Sequence, residues 1–100
     1  MFLERMIQHV RPEKWADLEA IDKKYDAIEA RYGFPAKKRY QALFGGYTGN
    51  TLIIEREWES LTKMEATYMP YLSDPELQKL QAEIMQILES NQSELYTVLP

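Results

Sequence analysis

The most constraining feature is a stripe of apolar side chains at Trp15, Leu18, Ile21, Tyr25, Ile28 and Tyr32. Spacings of 3, 3, 4, 3 and 4 keep these residues on one side of an α-helix for about five turns. Pro12 in the first turn, with Glu13 behind it, is expected to open the helix. Asp17, Glu19, Asp22, Asp26 and Glu29 fall on its wet side. Gly33 is expected to end it as a left-handed residue, and Pro35 to prevent its resumption. A helix with one apolar stripe must lie against something, and the flanking segments say what. Met1–Val10 reads as a strand, neither alternating nor continuously apolar, as for a central strand whose faces meet different surroundings. Lys37–Phe44 reads as a second strand with a basic entry suited to an edge. After the reversing loop Gly45–Asn50, Thr51–Trp58 reads as a third, antiparallel to the second.

Ser60 is expected to cap a helix carrying Leu61, Met64 and Tyr68, interrupted at Pro70. Ser73-Asp74-Pro75-Glu76 restarts it with the stripe Leu77, Leu80, Ile84, Ile87 and Leu88, and Leu95–Leu99 is a short closing strand. The order β-α-β-β-α-β predicts an α+β, ferredoxin-like domain over residues 1–100. Its four-stranded antiparallel sheet has the first and third strands central and helices on one face. Both residue parities of those central strands carry large apolar groups together with charge. One set answers to the helices and the other to a partner, so a sheet-to-sheet homodimer is expected. Glu4, Arg5, Glu55 and Arg56 would then be partly paired in or beside the interface. Parity alone leaves open which set meets the helices.

Composition excludes several functions. Without cysteine there is no disulfide, thiolate metal site or cysteine nucleophile. Twelve Lys+Arg against sixteen Asp+Glu give a net charge of −4, which disfavours nucleic acid and anionic membrane as partners. No stretch is apolar enough for a membrane span and no secretory pattern opens the chain, so a cytoplasmic location is expected.

Glu57-Trp58-Glu59-Ser60-Leu61, at the strand-to-helix junction, resembles the dimeric α/β-barrel superfamily. Ser73-Asp74-Pro75-Glu76-Leu77 and the closing Ser93–Pro100 run resemble its NIPSNAP-like branch. The resemblance implies a paired-sheet dimer, or dimeric α/β barrel, with a cleft between sheet and helices that relatives use for small organic molecules. Heme-degrading relatives use an Asn on the first strand with a Trp and a His on the helical side. Quinol-oxidising ones carry histidines after the third strand. Here only Trp58 matches, with Met64, Tyr68 and Tyr71 where those histidines would stand.

The candidate cleft residues are His9, Tyr25, Trp58, Met64 and Tyr68. His9 is the lone histidine, and it also reads as a hydrogen-bonded structural residue. Trp58 reads first as junction packing with its indole N–H on backbone, and Tyr25, Met64 and Tyr68 by default as core. Glu55 and Glu57 face the same way and could divide acid and base roles, or form a solvated pair beside Arg5 or Arg39. The Lys37-Lys38-Arg39 run could hold an anion, or simply protect an edge. No metal ligand set and no cofactor is expected. Three functions stay open: binding of a small apolar or aromatic molecule; a cofactor-independent monooxygenase or isomerase acting on an aromatic or quinol-like substrate; and a structural homodimer without a ligand.

Overall fold

A computed structural model describes residues 1–100. The elements are β1 (Phe2–Val10), α1 (Trp15–Tyr32), β2 (Lys37–Gln41), β3 (Thr51–Trp58), α2 (Leu61–Leu72), α3 (Pro75–Ile84) and β4 (Leu88–Thr97). The sheet is antiparallel in the order β2-β3-β1-β4. β1 and β3 are therefore central and β2 lies at an edge, as the ferredoxin-like order requires. The molecule is a slab 17 Å thick, which is room for one sheet and one helical layer. No helix is long and apolar enough to cross a membrane.

The structure settles the two faces. Val10, Leu52 and Ile54 share a buried cluster with Leu18, Ile21 and Ile28 of α1 and Leu77 and Leu80 of α3. Even-numbered residues of β1 and β3 therefore meet the helices. Leu3, Arg5, Ile7 and His9, with Thr51, Ile53, Glu55 and Glu57 opposite them, form the other face, open except at the buried Ile7 and Thr51, at the end where Tyr47 approaches His9.

Four boundaries differ from expectation. Pro12 does not begin α1. Arg11 C=O accepts from Lys14 N–H at 3.1 Å, with Glu13 at φ 67°, so residues 11–14 make a turn of type II character with Pro second and a left-handed residue third. At the far end Gly33 is left-handed as expected (φ 76°), and the Phe34 and Gly33 N–H groups return to Glu29 and Ala30 carbonyls. β2 stops at Gln41, leaving Leu43 and Phe44 84% and 93% exposed. α2 runs through Pro70 to Leu72. The bond that proline forfeits belongs to the exposed Ala66 side of the last turn, where solvent can replace it. β4 begins at Leu88, not Leu95, because β1 offers pairing along the whole polar run from Ser90 to Glu94. Ser60 caps α2 through Lys63 N–H, and Asp74 caps α3 with Pro75 behind it.

Candidate functional site

β1 and β3 pair so that Glu4 stands opposite Arg56 on the helix-facing side. These two residues, expected at the dimer interface, are instead buried under the helices at 7% and 3% exposure. Such burial requires partners. The Arg56 guanidinium donates to Glu29 Oε1 at 2.7 Å and to the Pro35 carbonyl at 3.0 Å, and it lies over the Phe34 ring at 4.8 Å. Its Nη1 is 4.0 Å from Glu4 Oε1. Glu4 accepts from Trp58 Nε1 at 3.0 Å and from the Tyr68 hydroxyl at 2.6 Å.

A second ionic group adjoins the first. Lys37 Nζ sits within 3.4 Å of Asp22, Asp26 and Glu29. Its ammonium pKa is raised: burial opposes the charge, and the surrounding carboxylates outweigh that penalty. Arg39 grips Glu19 through two nitrogens, while its Nε lies 3.0 Å from Asp22 but off line for a hydrogen bond. The basic run at β2 thus serves α1: alternation turns Lys37 and Arg39 toward the helix layer. For the same reason Asp22 and Glu29 are buried rather than on the wet side.

Between this ionic wall and the helices lies a cavity of about 170 Å³, reached by residues of β1, α1, β2, β3, α2, α3 and β4. Met6 and Ile54 form part of its floor, and Tyr25, Tyr68 and Tyr71 much of its aromatic wall. Phe34 packs edge-on against Tyr71, Tyr68 and Trp58 with ring centroids 4.6, 5.0 and 5.6 Å apart. Burial, aided by Glu29, pushes the Tyr25 phenol up to about 12 and raises that of Tyr71 as well. Burial and Glu4 raise that of Tyr68. All three therefore stay protonated at neutral pH. Among the phenols, those of Tyr32, Tyr68 and Tyr96 donate within the chain, to Asp74, Glu4 and Glu94. The hydroxyls of Tyr25 and Tyr71 have no such partner.

Of the candidate residues, the structure brings together Tyr25 and Tyr68 on the cavity wall. Trp58 stands behind that wall, fully buried, with its indole N–H on Glu4 rather than on backbone. Met64 is half-buried on α2 outside the cavity. His9 lies on the open face, its Nδ1 3.0 Å from Thr51 Oγ1 and its ring 6.2 Å from that of Tyr47. On that face Arg5 pairs with Glu55 at 2.8 Å and covers the Tyr96 ring at 5.3 Å, and Glu57 is exposed. No three His, Asp or Glu side chains are grouped to hold a metal ion. Glu4, Glu29, Arg56 and Tyr71 are the site residues that the motifs did not single out. The sequence does carry a signal for them: Asp22, Asp26 and Glu29 line up along α1 at helical spacing, facing basic residues at alternate strand positions.

Comparison with family models and with curated proteins finds no match. Solved structures do match. A NIPSNAP domain protein from Burkholderia xenovorans superposes with a TM-score of 0.84 at 17% identity, over 99% of this chain and 95% of that one. A NIPSNAP family protein from Agrobacterium tumefaciens gives 0.78 at 19% identity, over 99% and 91%. SnoaB, a cofactor-independent oxygenase from Streptomyces nogalater, gives 0.70 at 15% identity, over 99% and 93%. The architecture read from the order of elements is thus an existing one, and the chain has the ferredoxin-like fold of the NIPSNAP-domain proteins.

Proposed function

We propose that the protein is a cytoplasmic homodimer, joined through the open face of its sheet, whose cavity between sheet and helices binds a small organic molecule. The cavity carries the reading: about 170 Å³ remains inside a small domain, beside phenols that the fold leaves without partners. Buried polar groups are normally satisfied, so hydroxyls facing a cavity unpaired are suited to a ligand. Binding is preferred to acid–base catalysis because the ionisable side chains on the wall are tied to one another, Arg56 to Glu29 and Lys37 to Asp22. The open face supports the dimer. It presents Leu3, Ile53, Tyr40 and Tyr96 around the Arg5–Glu55 pair, with no second layer over them. Isologous pairing would cover it. A chain with no cysteine suits a reducing compartment.

Light scattering on the eluting protein should give twice the 11.8 kDa chain mass, and Ile53→Arg on the open face should restore the single-chain value. Amide resonances of the cavity residues should shift when one-ring organic fragments are added. A chain-mass particle at millimolar concentration would overturn the dimer, and silence of every fragment would overturn the binding.

A further inference from the structure

We infer that the cavity takes an uncharged one-ring molecule bearing a hydroxyl or carbonyl group, recognised by the Tyr25 and Tyr71 phenols and the neighbouring amides rather than by the ionic wall. This rests on the binding reading above and specifies its ligand.

Size sets the first limit. An apolar cavity of about 150 Å³ holds benzene, so about 170 Å³ admits one ring with a small substituent. Charge sets the second. The wall contributes two cations, Lys37 and Arg56, and two carboxylates, Asp22 and Glu29. They are already joined by contacts of 2.7, 3.0 and 3.4 Å, with Asp26 on Lys37 and Glu4 near Arg56 behind them, so every charge on the wall already has a partner. A ligand carrying its own charge would enter without a counter-ion and bear the desolvation cost alone. Unspent hydrogen-bonding capacity sets the third. Among the amide side chains, only Gln41 and Asn50 bond within the chain, which leaves the buried Gln8 amide free at the cavity, with the exposed Gln81 and Asn91 amides at its rim. With the two phenols they offer donors and acceptors to a neutral polar group. A purely apolar ring would cut the polar groups of the buried Gln8 and Tyr71 off from water without a partner.

The test uses four probes of similar size on the full chain at pH 7: phenol, toluene, benzoate and benzylammonium, each titrated while amide resonances are followed. Phenol should bind about tenfold more tightly than toluene, the worth of one or two net hydrogen bonds, and both ions more weakly still. The Tyr25→Phe, Tyr71→Phe double variant should lose phenol's advantage while still binding toluene, which also shows that its cavity is intact. Should toluene match phenol, or either ion exceed it, the inference falls while cavity binding stands. Should none of the four bind, both fall together.

Discussion

Removing the Arg56–Glu29 pair should damage the protein less than removing either member. Breaking a buried ion pair from one side costs about 3–5 kcal/mol, because the survivor is left uncompensated. The neighbours decide where each variant falls. After Arg56→Met, Glu29 retains Lys37 Nζ at 3.4 Å and Glu4 retains the Trp58 and Tyr68 donors. The cost should sit near the lower end, about 3 kcal/mol. After Glu29→Met, the guanidinium retains only the Pro35 carbonyl, with Glu4 at 4.0 Å, and the cost should rise to about 4 kcal/mol. Simple addition would put the double variant at about 7 kcal/mol, enough to unfold many domains of this size. Yet the double variant strands no charge. Lys37 keeps Asp22 and Asp26, Glu4 keeps its two neutral donors, and methionine suits both the helix and the core. It should therefore be more stable than either single variant. Urea unfolding followed by tryptophan fluorescence, at one fixed protein concentration, measures all four proteins. With a slope of about 1.5 kcal/mol per molar, 3 kcal/mol moves the midpoint by about 2 M. A double variant at the additive sum, or below either single, would refute the network described here.

Four smaller predictions accompany it. Tyr68→Phe takes one of two neutral donors from the buried Glu4 carboxylate and should cost about 1–3 kcal/mol by the same unfolding assay. Ser60→Ala removes the acceptor for Lys63 N–H and should cost about 1 kcal/mol, a fall of roughly 4–8 °C in Tm by calorimetry. The Tyr32 hydroxyl, with the first N–H groups of α3, holds the Asp74 carboxyl below its ordinary 3.8. That stabilisation is present above the ordinary value and lost as pH falls through the lowered one, so Asp74→Asn should flatten the acid limb of a stability-against-pH curve. At the alkaline end, ultraviolet titration should find Tyr25, Tyr68 and Tyr71 ionising above the ordinary phenol value because they are buried, and Tyr32 and Tyr96 raised as well by their hydrogen bonds to Asp74 and Glu94. Stability should fall as pH climbs from 10 toward 12, because the unfolded chain sheds these protons first.

Much of the architecture was legible because helix stripes and stop signals are local. Leu18, Ile21 and Ile28 are buried where the 3.6-residue period places them, and Gly33 turns left-handed as a helix end needs. β4 was legible only in its last residues. Glu89-Ser90-Asn91-Gln92-Ser93 carries no strand preference of its own and is extended because β1 supplies hydrogen bonds along it. Local pattern overstates β2 for the opposite reason: Leu43 and Phe44 look like strand residues but have no opposite number in the ladder. The site was harder. Tyr25 and Tyr68 stand on helix stripes and could be picked out. Glu4 and Arg56 needed the register that sets them face to face, together with the knowledge of which sheet face is covered. That last fact is tertiary, and it is also what carries His9 away from the cavity to the far side of the sheet.

Every secondary-structure element contributes to the cavity wall, and none owns it. A guest bound there as proposed would need the whole fold, and its occupancy and the chain's foldedness would form a single linked equilibrium. A guest at one hundred times its dissociation constant would raise the unfolding free energy by about 2.7 kcal/mol. In a cell, the abundance of the protein would then track the supply of that guest, since a bound population leaves less unfolded chain for proteases to reach.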